Sequence, residues 1–338
     1  MLEWLAITTI ALLSLLLTAL LRRYALSRSL LDVPNARSSH SIPTPRGGGV
    51  AIVIAFLLAT IVMAGAGQIS VETSMAIVGA GGLVAIIGFM DDHGHIAARW
   101  RLLGHFAAAV WALVWSGGLA PLSVMGTTFD LGVVGQICAV FYLVWMLNLY
   151  NFMDGIDGIA SVEAVTVCGS ISLVYALSGF DALLWGPLFL AASVVGFLYW
   201  NFPPARIFMG DAGSGFLGIA LGILSVQAAW SSPQLFWAWL ILLGVFVVDA
   251  TVTLLRRLIR REKVYEAHRS HAYQFASRRL GGHLPVTLAV GLINVCWLLP
   301  VALWVVLMNA EGIVGVIVAY VPLVILALRF DAGQAETS

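Results

Sequence analysis

Charged side chains are scarce in this 338-residue chain, where Asp, Glu, Lys and Arg make up only 10%. Soluble domains carry about 25%. Together with 61% hydrophobic residues and a mean hydropathy of +0.98, that scarcity excludes a soluble globular enzyme. Net charge is lacking too, because 17 Lys and Arg balance 17 Asp and Glu. Bulk charge therefore gives no reason to expect nucleic acid or another polyanion as a partner. Cysteine is nearly absent. Cys138, Cys168 and Cys296 stand singly in apolar runs, with neither the paired spacing of a metal site nor the even count of a disulfide framework, and read as small buried hydrophobes. A cleavable signal is not expected either. The run from Leu5 to Leu21 has Glu3 before it, Arg22 and Arg23 behind it, and no small-x-small cleavage pattern, so it reads as a retained first span.

What is abundant is apolar sequence. At about 20 residues per span it fills roughly eight to eleven membrane-crossing helices. Runs fall at about 2–21, 48–66, 73–90, 103–118, 132–149, 159–178, 182–200, 213–229, 234–255, 284–308 and 312–328, eleven in all. The expected fold class is an all-α membrane protein, a polytopic bundle of about eleven transmembrane helices forming one domain over residues 1–338. With eleven spans, all 17 Lys and Arg lie in segments on one side. The positive-inside rule makes that side the cytoplasm, with the N-terminus outside and the C-terminus inside. The cytoplasmic loops are then 22–47, 91–102, 150–158, 201–212 and 256–283. No internal repeat is visible, which disfavours inverted-repeat transporter architectures.

The remaining polar residues collect in those loops. GFMDDHGHI places Asp91 and Asp92 where the third run ends. Adjacent carboxylates repel unless a cation or proton lies between them, so the pair reads either as a solvated helix end or as a metal site. NLYNFMDGIDGIA sets Asn148, Asn151, Asp154 and Asp157 at three-residue steps. On a helix such steps drift by only about 60° each, which keeps the four side chains in one broad sector. Gly155 and Gly158 also permit a broken helix with backbone open to a ligand. A structural loop needs one Asn or Asp as a cap, not four in phase. FPPARIFMGDAGSGFLG ends one helix at Pro203–Pro204, offers Arg206, and opens the next with Gly210, Asp211 and Ser214. Backbone N–H groups there suit a phosphate, which an Asp would repel without a bridging divalent cation; taken alone, Asp211 reads equally well as an N-cap. In the basic stretch from 254 to 283, the positive-inside rule accounts for Arg and Lys but not for His268 and His271 flanking Arg269. The first loop adds Arg37, His40 and Arg46, and its prolines make it an ordered crossing rather than a helix. Carboxylates combined with phosphate oxygens are the ligands Mg²⁺ uses. The chemistry expected is transfer of a phosphate-bearing group at the cytoplasmic surface, with a lipid among the substrates.

These motifs in this order resemble the polyprenyl-phosphate N-acetylhexosamine-1-phosphate transferases of bacterial envelopes, glycosyltransferase family 4. The residues that carry the resemblance are DVPNxRxxH and PTPRGGG within 32–49, the DD of 91–92, NFMDGIDGIA at 151–160, FMGDAGS at 208–214 and the histidine loop near 268–271. It implies Mg²⁺ or Mn²⁺, a UDP-sugar donor, undecaprenyl phosphate as acceptor and a multi-pass place in the inner membrane with the site on the cytoplasmic face. Membrane lipid is then a partner, nucleic acid is not, and a homodimer is admissible. By position, the resemblance makes Asp91, Asp92, Asp154, Asp157, His268 and His271 catalytic, with one of the two histidines essential. It gives Asp211, Asp91 and Asp92 to the metal, and Arg37, His40, Arg46, Asn148, Asn151, Arg206, Gly210, Ser214 and Arg269 to the substrates. The chain departs from the family pattern at HRSHAYQ, where many members have a tighter histidine cluster. It departs again at Ser38 and Ser39, where some members carry Lys.

The activity implied is attack of the lipid phosphate on the β-phosphorus of a UDP-N-acetylhexosamine, directly or through an aspartyl-phosphate. UMP leaves, and an envelope glycan such as O-antigen begins. Two other classes compete. An intramembrane Mg-dependent prenyltransferase calls for DxxxD-type spacings, whereas the chain offers only Asp154-x-x-Asp157. A lipid-linked-sugar carrier calls for polar groups near the bilayer midplane, where this sequence is apolar.

Overall fold

The computed structural model describes residues 2–34, 39–40, 42–94, 96–262 and 268–335, so Arg37 lies outside the described residues. Among the described residues fourteen α-helices follow in order: α1 Leu2–Ser27, α2 Val50–Gly65, α3 Val71–His93, α4 Ala98–Ser116, α5 Gly132–Met153, α6 Ile159–Ser178, α7 Trp185–Asn201, α8 Asp211–Ser231, α9 Pro233–Leu242, α10 Gly244–Ile259, α11 Ala272–Arg279, α12 His283–Ile293, α13 Leu299–Leu307 and α14 Gly312–Arg329. A π-turn over Asn294–Leu298 joins α12 and α13 into one apolar rod. The protein is an all-α, polytopic membrane protein. Helices occupy each apolar run, but among the described residues eight are long and apolar enough to cross a membrane, or nine if the pair α9 and α10, bent by 68°, is one span. Of the others, α2 has only 16 residues, and α4 opens with Arg99, Arg101 and His105, which dilute its apolar content.

At the centre stands α8, with 94% of its apolar window buried. Its glycines let neighbouring backbones come close, the usual device where lipid supplies no hydrophobic drive between helices. A Cβ on Gly218 would stand 2.5 Å from the Leu147 Cα of α5, and one on Gly213 would stand 2.6 Å from the Gly49 Cα before α2. From α3, Gly88 meets the start of α8 equally closely, 2.5 Å from the Ala212 nitrogen. The helix starts that carry the polar motifs are thereby fixed against one another.

Short backbone pairings tie the loops at that end. Strand β1 (Leu31–Asp32) pairs antiparallel with β2 (Thr44–Pro45), while the Gly48 and Gly49 N–H groups donate to the Phe208 and Met209 carbonyls at 2.9 Å. At the opposite end, β3 (Leu122–Val124) and β4 (Thr127–Phe129) form a hairpin whose turn residues, Met125 and Gly126, both have positive φ. Positive φ at both turn positions matches the twist of a two-residue hairpin. Since α5 runs from this hairpin to the Asn151–Asp157 motif, the two lie at opposite ends of the bundle.

The elbow between α9 and α10 leaves backbone N–H groups unpaired inside the bundle. Glu163, fully buried on α6, lies close to Phe246 at the start of α10, yet its Oε1 has no hydrogen-bond partner among the described residues. Its other contact is Asn294 of the π-turn, whose Nδ2 donates to Glu163 Oε2 at 2.7 Å and to Thr166 Oγ1 at 2.8 Å. The elbow and the π-turn thus lie at one carboxylate.

Candidate active site

The polar loops enclose a cavity of about 400 Å³. Its first wall is the break after α5. Sequence spacing suggests that Asn148, Asn151, Asp154 and Asp157 share one helical face, but α5 stops at Met153 and Gly158 adopts φ +74° before α6 begins. Asp154 and Asp157 therefore project from a loop. Asn148 stays on the helix, donates to the Val144 carbonyl at 2.7 Å, and faces a narrow side cavity of about 50 Å³ shared with Asn151 and Asp211. Asp157 is held firmly. It accepts from the Ala205 N–H at 3.0 Å, and its Oδ1 lies 3.2 Å from His283 Nδ1. The other His283 nitrogen, Nε2, donates to the Ser39 carbonyl at 3.0 Å. Asp154 differs: its carboxylate has no hydrogen bond or ion pair among the described residues. Burial, and then the charges of Asp211, Asp92 and Asp157, hold its pKa well above the usual carboxylate range.

The second wall is where α3 meets α8. Asp92 reaches the α8 N-terminus and accepts from the Ala212 N–H at 3.4 Å. Gly210, not Asp211, occupies the N-cap position, at φ +77°, and a Cβ there would stand 2.7 Å from Asp92 Oδ2. Asp91 turns the other way, accepting the Ile96 N–H at 2.9 Å and pairing with Arg101. The same guanidinium nitrogen of Arg101 lies 3.5 Å from Asp211. Arg46 donates to the Asp92 carbonyl, and Asn151 donates to Ser214 Oγ at 3.0 Å, which in turn donates to the Gly210 carbonyl. His40 rests edge-on against Phe208 at the rim.

Several expected site residues stand elsewhere. Arg206 lies over the Tyr199 and Trp200 rings, outside the cavity lining. His271 is buried with its Nδ1 at 3.3 Å from Asp249, and His268 stacks on it; neither lines the cavity. Burial, reinforced by His271 and Arg257, pushes His268 down to about 3, so it is neutral at physiological pH. Arg269 borders a neighbouring polar cavity of about 260 Å³ with Arg278 and His283. In place of the two loop histidines, the cavity receives Gln274 and His283. Sequence reasoning passes over both, because neither sits in an acidic or glycine-rich motif.

Residues 74–229 match Glycosyl transferase family 4. The chain is 33% identical over 267 residues to a probable undecaprenyl-phosphate N-acetylglucosaminyl 1-phosphate transferase of Bacillus subtilis, covering 77% of this chain and 73% of that one. The chain belongs to the polyprenyl-phosphate N-acetylglucosamine-1-phosphate transferase family. A decaprenyl-phosphate N-acetylglucosaminephosphotransferase of Mycolicibacterium smegmatis is 32% identical over 283 residues, 75% of this chain and 69% of that one. An undecaprenyl-phosphate alpha-N-acetylglucosaminyl 1-phosphate transferase of Thermotoga maritima is 28% identical over 275 residues, 80% and 81% of the two chains.

The family region holds Asp91, Asp92, Asp154, Asp157 and Asp211, and the fit of a divalent cation is decided among these. Among the described residues no three acidic, histidine or cysteine side chains gather closely enough to cage a metal by themselves. Mg²⁺ seldom asks for that, being held by one or two carboxylates with phosphate oxygens and water completing its shell. An unpartnered Asp154 facing the charges of Asp92 and Asp211 fits such a half-built site. Asp91, committed to Arg101 and Ile96, fits it poorly.

Proposed function

We propose that this protein transfers N-acetylhexosamine 1-phosphate from a UDP-sugar to undecaprenyl phosphate, releasing UMP and starting a lipid-linked envelope glycan such as O-antigen. The acceptor and the transferred group are those named for the relatives in B. subtilis and T. maritima. One observation carries the reading: Asp154, Asp157, Asp92 and Asp211 converge on a cavity whose other walls are glycine-rich helix starts, at the loop end of an apolar bundle. Carboxylates so arranged need a cation, and the cation needs phosphates. By the positive-inside rule the cavity opens to the cytoplasm of a bacterial inner membrane.

Asp154 and Asp211 would hold Mg²⁺ or Mn²⁺, with Asp92 beside them. Bound there, the ion supplies charge neutralisation on the pyrophosphate, the main demand of phosphoryl transfer. Asp92 accepts the Ala212 N–H in the first turn of α8 and so fixes that helix start beside the cavity. Arg101 spans Asp91 and Asp211 and fixes the Asp211 carboxylate on the rim. A phosphate oxygen of the lipid attacks the β-phosphorus, the bond to the UMP oxygen breaks, and UMP departs. The monoester's second pKa is about 6, so the attacking phosphate is already largely dianionic and requires no protein base. The test is UMP release by the purified protein with UDP-N-acetylglucosamine, undecaprenyl phosphate and Mg²⁺. Release that requires the lipid and stops with EDTA is expected; lipid-independent release or none overturns the reading.

A further inference from the structure

The short helix α11 forms one wall of the cavity although its own residues are not acidic. It is docked on the catalytic loop at Gly155, where a Cβ would stand 2.1 Å from the Tyr273 hydroxyl and 3.1 Å from Gln274 Nε2. The Tyr273 hydroxyl donates to the Phe152 carbonyl at 3.1 Å, two residues before Asp154. The orientation of the Gln274 amide is settled by its neighbour. The His271 N–H can only donate, and it lies 3.2 Å from the oxygen Oε1. Nε2 is thereby turned toward Gly155 and the cavity, and it donates to nothing among the described residues.

Eight residues of helix do not hold such a geometry unaided. What holds α11 is Asp249, a buried carboxylate of α10. Its Oδ1 accepts from the Ala272 N–H at 2.9 Å and from Thr253 Oγ1 at 3.1 Å, while Oδ2 accepts from the Tyr273 N–H at 3.0 Å. His271 Nδ1 adds a contact to Oδ1 at 3.3 Å. Both oxygens are used as acceptors, a pattern a carboxylate meets and an amide cannot. We propose that Gln274 is a donor-binding residue of the cavity, offering its Nε2 to a neutral oxygen of the sugar, and that Asp249 is the positioning residue that sets it there. Phosphate is the less fitting partner, because an uncharged amide between carboxylates adds no charge to oppose the pyrophosphate. The inference rests on the proposed transferase reading.

The test measures initial rates of UMP release by the full chain, varying UDP-N-acetylglucosamine and undecaprenyl phosphate separately. A single neutral hydrogen bond is worth about tenfold in affinity. Gln274→Met is expected to raise KM for the donor about tenfold, with a smaller change in kcat and none beyond threefold in KM for the lipid. Asp249→Asn, which keeps volume but loses an acceptor, is expected to give the same split, and Asp249→Glu to recover part of it. A purely structural role for Asp249 would lower kcat and both KM-dependent rates together, which overturns the assignment. So does an unchanged donor KM in Gln274→Met. Gln274→Asn retains a shortened amide and serves if the Met variant fails to fold: a donor KM within twofold of the wild type overturns the proposal. Wild-type protein without UMP release overturns the transferase reading and this inference with it; wild-type release with an unmoved donor KM overturns this inference alone.

Discussion

Asp154 is held against its own electrostatics, a half-buried carboxylate surrounded by three others and paired with none among the described residues. Such a group destabilises the fold until a cation or a proton arrives. Asp154→Asn is therefore expected to raise the melting temperature in EDTA while lowering UMP release by about a thousandfold, the size of effect that loss of a metal-side charge produces at about 1.4 kcal/mol per decade. A variant that melts lower and keeps its turnover contradicts both halves. Gly210 sits at φ +77° against Asp92 Oδ2. Gly210→Ala combines a left-handed backbone with a displaced cap, at a cost of about 1–3 kcal/mol, and should lower both melting temperature and activity. His268 supplies a pH signature. Its folded pKa of about 3 lies below the 6.5 of a free imidazole. The unfolded chain takes up that proton first, so the contribution is intact above pH 6.5 and lost as pH falls toward 3. Between pH 7.5 and 5.5 the wild-type melting temperature should fall by more than that of His268→Gln, and equal falls would remove His268 as the cause.

Elements differ in how far sequence discloses them. Long helices announce themselves because a chain in lipid must satisfy every backbone group within the helix, which makes each span an unbroken apolar run. The end of α5 is less legible: Gly155 and Gly158 permit a break, and the docking of α11 on Gly155, which no local pattern encodes, goes with its being used. The acids at 91–92, 154, 157 and 211 could be read from their motifs, yet Asp91 and Asp92 face different ways because one meets Arg101 and the other the α8 N-terminus. His271 reads as a cavity residue and is a buried neighbour of Asp249, a long-range pairing no local pattern encodes. Glu163 illustrates the same limit, as it accepts from Asn294, far away in sequence. Glu163→Leu removes an acceptor of the buried Asn294 amide, at about 1–3 kcal/mol, whereas Glu163→Gln retains one. Thermal unfolding should show a much larger drop for Leu than for Gln; equal drops would mean that volume, not the hydrogen bond to Asn294, matters there.

At the scale of the whole molecule, the hairpin at 122–129 and the cavity mark opposite ends of one bundle. If the basic loops face the cytoplasm, a cysteine placed at Gly126 is expected to react with a membrane-impermeant maleimide in intact cells, in a background with Cys138, Cys168 and Cys296 replaced. One at Ser39 should react only after lysis. The reverse pattern would invert the orientation.

Helix α1 packs on α7: a Cβ on Gly196 would stand 2.2 Å from the Ala11 carbonyl, Ser14 Oγ donates to the Ser193 carbonyl at 2.5 Å, and Trp200 Nε1 donates to the Leu15 carbonyl at 3.1 Å. During synthesis the ribosome delivers α1 first, and its docking face on α7 emerges only after α2 to α6 have been made. At roughly 5–20 residues per second, the first helix waits on the order of ten seconds for its groove. It can wait because the lipid is an adequate interim neighbour: only 17% of its apolar window is buried even in the finished bundle. Assembly of this protein therefore makes the α1–α7 contact well after α1 is inserted, and a chain truncated before α7 leaves α1 beside α2 but without its main groove.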